Sequence, residues 1–115
     1  MRLQVLTFLA VLALASIGFA HAVLVETSPE PNTTIAGPEV GFQLRFNSRI
    51  DSARSRLSLV LPDKSVRRLT LEPQVSPATL SSHMAGLHSG PYALRWQVLA
   101  ADGHITRGEV VFQVK

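Results

Sequence analysis

The chain has 115 residues, no cysteine and a formal net charge of +3. The missing cysteines exclude thiolate metal sites, thiol catalysis and disulfide stapling, so any metal must be held by histidine, carboxylate, methionine or backbone nitrogen. Arg45, Arg49, Arg54, Arg56, Arg67 and Arg68 are spread over alternating segments without a dense basic run, which reads as a solvated polar face rather than a nucleic-acid surface.

Met1-Arg2 gives a short positive start, Val5 to Ala15 is apolar apart from Thr7, and small residues follow in Ser16-Ile17-Gly18-Phe19-Ala20. A charged start, an apolar middle and a small-residue exit are the parts of a secretory signal peptide. The stretch Leu3 to Ala20 also approaches the ~20 residues that span a bilayer, but the small residues at its end favour cleavage over anchoring. The expected organisation is residues 1–20 as signal peptide and residues 21–115 as one exported domain. Ala20-His21-Ala22 is itself a second cleavage pattern, and a cut after Ala22 would discard His21.

Beyond the leader, period-two alternation dominates. A weak strand is expected at Ala22–Thr27, followed by turn signals at Ser28-Pro29-Glu30-Pro31-Asn32 and Gly37-Pro38. Glu39–Phe46 alternates with Val40, Phe42, Leu44 and Phe46 on one side; Ser55–Leu61 does so with Leu57, Leu59 and Leu61. Pro62-Asp63-Lys64 reverses the chain into Val66–Leu71. A weak strand lies near Leu80, although Ser76–Met84 is the one stretch with room for a helical turn. Tyr92–Leu99 turns Tyr92, Leu94, Trp96 and Val98 inward, and Gly108–Lys115 does the same with Val110, Phe112 and Val114. About seven short strands with frequent turns predict an all-β fold, an antiparallel β-sandwich.

Such a fold fixes no function, so the chemistry must come from side chains. Of the four histidines, His21 is set apart by cleavage after Ala20. As the first residue of the processed chain it offers an α-amine and a ring nitrogen that can close a chelate on one ion. In Asp102-Gly103-His104, residues i and i+2 of an extended chain share a face about 6.6 Å apart. His21, Asp102 and His104 together would supply three nitrogens and one carboxylate oxygen, a set that suits tetragonal Cu(II) over Cu(I). Taken alone, Asp-Gly is first a turn signal and His104 an ordinary loop residue.

The opening His21-Ala-Val-Leu-Val-Glu-Thr-Ser-Pro-Glu-Pro-Asn, the middle Gln43-Leu-Arg-Phe-Asn-Ser-Arg-Ile-Asp, and the ending Gly90-Pro-Tyr-Ala-Leu-Arg-Trp-Gln-Val-Leu-Ala-Ala-Asp-Gly-His with Gly108-Glu-Val-Val-Phe-Gln-Val resemble the CopC family of periplasmic copper-resistance proteins. The resemblance implies an immunoglobulin-like β-sandwich or Greek-key barrel, a periplasmic location and one Cu(II) held through His21 (amine and ring), Asp102 and His104; a monomer without enzymatic activity is expected. It also implies a CopD-like inner-membrane protein as a possible partner, with no nucleic acid and no membrane insertion after signal cleavage. Some members carry a methionine-rich Cu(I) stretch; here Met84, beside His83 and near His88, does not reproduce it. Others place a glutamate after the second strand, where this chain has Ser48. Two further readings compete: a copper-dependent oxidase resembling lytic polysaccharide monooxygenases, which also use an N-terminal histidine chelate, and a metal-free interaction module. Asp102 in a position that oxygen chemistry needs open, and inward-facing Trp96 and Tyr92, count against the first.

Overall fold

Alternation through Val40–Phe46 puts Val40, Phe42, Leu44 and Phe46 on one face of a strand, and all four are buried while Gly41, Gln43 and Arg45 are exposed. The same rule builds most of the molecule. The computed structural model describes residues 22–115. Within them lie eight strands: β1 (Leu24–Ser28), β2 (Thr34–Ile35), β3 (Val40–Phe46), β4 (Ile50–Val60), β5 (Val66–Leu69), β6 (Thr79–Met84), β7 (Gly90–Ala100) and β8 (Ile105–Val114). The expected signal peptide and His21 lie outside the described residues.

The strands form two sheets, one ordered β1-β3-β6 and the other β2-β8-β7-β4-β5. Each sheet keeps its edges, so the fold is an open all-β sandwich and not a closed barrel. All pairings are antiparallel except one: β2 runs parallel to the end of β8, with Thr34 opposite Gln113 and Ile35 opposite Val114. That strand is only two residues long, too short to show a period, and the sequence reading missed it.

Between the sheets, Leu44, Leu57, Leu59, Leu94 and Val98 have no exposed surface. Aromatic rings fill the remaining space. Tyr92 stacks on Phe112 at 5.6 Å, Phe112 meets Phe42 at 5.9 Å, and Phe46 stands edge-on to Trp96 at 5.3 Å. Tyr92 is buried and Trp96 half-buried, so both face the interior as their parity predicts.

Three expectations need correction. Ser76–Met84 contains a strand and no helical turn, because its backbone groups are taken by β3 in a register running from Val40 opposite Met84 to Arg45 opposite Thr79. Strand β4 begins at Ile50, ahead of the expected Ser55. Ile50 and Asp51 pair with Ala100 and Leu99, and the register then shifts before Arg56 meets Gln97. That bulge breaks the alternation and hid the first half of the strand. Its extra backbone is sealed by Ser55, whose buried hydroxyl donates to the Asp51 carbonyl at 2.7 Å and accepts from the Leu99 amide at 3.0 Å. Finally, β8 starts at Ile105 rather than Gly108, since Ile105 continues the ladder opposite Leu99.

Candidate metal centre

The β7–β8 hairpin closes through the four residues 101–104. The Ala100 amide donates to the His104 carbonyl at 2.9 Å, and the Gly103 amide donates back to the Ala100 carbonyl at 3.0 Å. Gly103 has φ of +89°, the left-handed conformation that a turn followed by a bulge requires and that glycine adopts without strain. Asp102 and His104 stand on either side of it.

Asp102 and His104 are brought together, as the sequence predicts, but by a turn and not along an extended segment. Asp102 Oδ1 accepts from the His104 amide at 3.0 Å, and Oδ2 lies 2.8 Å from His104 Nδ1. An ionised carboxylate only accepts, so in this contact Nδ1 is the donor. This is the arrangement in which a carboxylate orients a metal-binding imidazole. The His104 side chain is 58% exposed.

The same end of the sandwich holds the start of the described chain. Ala22, which follows His21 in sequence, is buried, and its carbonyl accepts from the Thr106 hydroxyl at 3.2 Å. Val23 and Asn47 bond reciprocally: the Val23 amide donates to Asn47 Oδ1 at 2.8 Å and the Asn47 amide to the Val23 carbonyl at 3.0 Å. Two residues on, the Arg49 carbonyl accepts from the Ala101 amide at 3.2 Å. The 47–49 turn is therefore tied both to the chain start and to the loop bearing Asp102. Asn47 and Thr106 hold the start of the described chain, and sequence reasoning missed both, since nothing in an isolated Asn or Thr signals a partner many residues distant. Ser48, between the two ties, has a buried hydroxyl without a hydrogen-bond partner.

The remaining histidines lie elsewhere. Exposed His83 on β6 sets Nδ1 2.6 Å from Glu72 Oε1, and that hydrogen bond and the carboxylate's charge raise its pKa above the usual 6.5. Met84 is half-buried against the core, and the His88 carbonyl accepts from the Tyr92 hydroxyl at 2.8 Å. Among the described residues, no three histidine or carboxylate side chains gather as a metal cluster. Asp102 and His104 supply two donors, and the third expected ligand, His21, falls outside the described residues.

Comparison with known proteins gives a consistent result. A copper resistance protein C from Xanthomonas campestris pv. juglandis is 29% identical over 114 residues, spanning 92% of this chain and 88% of that protein. The crystal structure of CopC from Methylosinus trichosporium OB3b superposes with a TM-score of 0.74 at 28% identity, covering 83% of this chain and 94% of that one. PcoC from Escherichia coli, a methionine-rich copper resistance protein, shares the fold with a TM-score of 0.64 at 23% identity, over 84% of this chain and all of that one. The family model for the CopC domain matches residues 24–115, so the chain belongs to the CopC family.

Proposed function

We propose that this protein is an exported, periplasmic Cu(II)-binding protein that buffers or carries one copper ion, held by the α-amine and ring of His21 together with Asp102 and His104. Membership of the CopC family supports a copper-related role. The observation that carries the ligand set is the Asp102–His104 pair, fixed on a short hairpin whose neighbour Thr106 anchors Ala22. The residue anchored there, Ala22, is the one that directly follows His21 in sequence. Three nitrogens and a carboxylate oxygen form a donor set for tetragonal Cu(II). Processing after Ala20 generates the amine, and a CopD-like membrane protein is the expected exchange partner of the monomer.

The test is a Cu(II) competition titration of the processed protein against two variants: His104→Ala, and a chain carrying one extra glycine ahead of His21. The extension keeps every side chain but breaks the amine–imidazole chelate, so both variants should bind Cu(II) far more weakly and change its electron paramagnetic spectrum. Equal affinity and an unchanged spectrum in both would leave a metal-free interaction module as the better reading.

A further inference from the structure

The five-stranded sheet turns an outer face to solvent that the metal centre does not use, and its register sorts charge onto it. One row across β4, β7 and β8 reads Arg56, Gln97, Arg107; the next, across β5, β4, β7 and β8, reads Arg68, Ser58, Arg95, Glu109. Exposed Arg54 lies on β4 beside these rows. Arg95 pairs with Glu109 at 3.1 Å, Arg54 reaches Asp51 at 4.0 Å, and Arg107 donates to Gln97 at 2.8 Å. Among the described residues, no carboxylate lies within ion-pair distance of Arg56, Arg68 or Arg107. Exposed aliphatic side chains flank the arginine rows, Ile105 on one side and Val66 and Val111 on the other: Val66 is 57% exposed, Ile105 52% and Val111 44%.

The opposite sheet carries no comparable basic excess. There Glu26 is paired with Arg45 at 3.2 Å, Glu72 with His83, and Glu39 lies close enough to act on His83. The basic side chains of the domain are thus concentrated on the five-stranded sheet even though the net charge is small.

We propose that the outer face of the β5-β4-β7-β8 sheet docks on an anionic phospholipid bilayer. Its basic groups are spread over four strands, about 15 Å at the usual strand spacing, instead of converging on one pocket, and that layout matches a plane of headgroups better than a single acidic peptide. Arg56, Arg95 and Arg107 border one shallow groove in which a lipid phosphate can accept from more than one guanidinium, a geometry arginine favours. Val66, Ile105 and Val111 add apolar contact at the headgroup boundary. Ile105 directly follows His104, so docking would hold the hairpin with Asp102 and His104 beside the membrane. The inference does not depend on the copper reading.

The experiment is cosedimentation of the processed protein, its N-terminus verified so that no leader contributes, with vesicles of equal parts phosphatidylcholine and phosphatidylglycerol and with phosphatidylcholine alone. Binding is expected to the anionic vesicles only, and to be lost when ionic strength rises from about 0.1 to about 1 M, which shortens the screening length from about 10 to about 3 Å. The triple variant Arg56→Gln, Arg68→Gln, Arg107→Gln should lower the partition coefficient at least about tenfold, since each basic group near an anionic surface contributes separately. Arg45→Gln, on the other sheet, should lower it less than Arg56→Gln alone does. All four side chains are exposed, and an unchanged melting temperature checks that the fold is retained. Absence of binding to anionic vesicles at low salt overturns the proposal in favour of an acidic protein partner, and so does equal binding by the triple variant.

Discussion

Asp102 grips His104 twice, through the backbone amide at 3.0 Å and through ring Nδ1 at 2.8 Å. In the proposed copper site, the second bond sets which ring nitrogen would face the ion. With Nδ1 donating to the carboxylate, Nε2 of a neutral ring keeps the lone pair. Asp102→Asn replaces an obligate acceptor with an amide whose NH2 group can face Nδ1 and favour the other tautomer. Cu(II) affinity should fall at least about 10–100-fold, the usual loss when a partner that orients a metal-binding imidazole is removed, because the variant also loses the carboxylate oxygen proposed as a ligand. Competition titration measures the loss and nitrogen NMR of the copper-free protein reads the tautomer. Wild-type affinity with an unaltered tautomer would show that the carboxylate has no part in the site.

A second relationship lies across the β7–β8 ladder, where Trp96 is paired with Gly108. A Cβ built on Gly108 would fall 2.5 Å from Cε2 and 2.8 Å from Nε1 of the indole, so the ring occupies the space a side chain would need. Gly108→Ala should destabilise the domain by about 1–3 kcal/mol, the usual cost of overpacking. Trp96→Leu in the same chain should recover part of it by vacating that space. Denaturant unfolding of the single and double variants provides the measurement, and strictly additive losses would count against the contact.

How much of this was legible beforehand follows from where the information sits. Strands with unbroken alternation, such as Val40–Phe46, declare themselves because one face is buried along their whole length. The bulge between Asp51 and Arg56 erased the signal for the first half of β4, since its backbone is satisfied by the Ser55 side chain and not by a regular ladder. Likewise, two-residue β2 is set by its neighbour β8 and carries no period of its own. Asp102 and His104 were readable as a pair, but the extended segment expected to join them is a turn, which the Asp-Gly signal announced. The contacts that tie Ala22 and Val23 to Thr106 and Asn47 were not, because they join positions distant in sequence through common polar groups.

His83 supplies a pH dependence with a definite sign. Its hydrogen bond to Glu72 and that carboxylate's charge raise its folded-state pKa above 6.5, so the folded chain holds the proton more firmly than the unfolded chain. The stabilisation from this pair is therefore complete below the unfolded value and disappears as pH rises through the raised folded value. Glu72→Gln should move the His83 midpoint back towards 6.5 and flatten that part of the stability profile. Because both groups are exposed, added salt should weaken the effect. Titration of the His83 ring proton shifts by NMR checks each point, and a midpoint unmoved by Glu72→Gln would contradict the assignment.

Ser55 is the residue on which the irregular half of β4 depends. Its hydroxyl serves two backbone groups at once, the Asp51 carbonyl and the Leu99 amide, and the residue is only 6% exposed. Ser55→Ala removes both partners where water has little access, and an unsatisfied buried group costs about 1–3 kcal/mol. Ser55→Thr keeps the hydroxyl and tests whether the loss comes from hydrogen bonding or from packing. The damage should be local as well as global: amide exchange at Leu99 should quicken more than at Leu94, which lies on the same strand opposite the regular part of β4. Leu99 borders the hairpin that carries Asp102 and His104, so Ser55→Ala should also loosen that loop. If amide exchange in Ser55→Ala accelerates uniformly along β7, the hydroxyl contributes only to overall stability and has no special hold on the bulge.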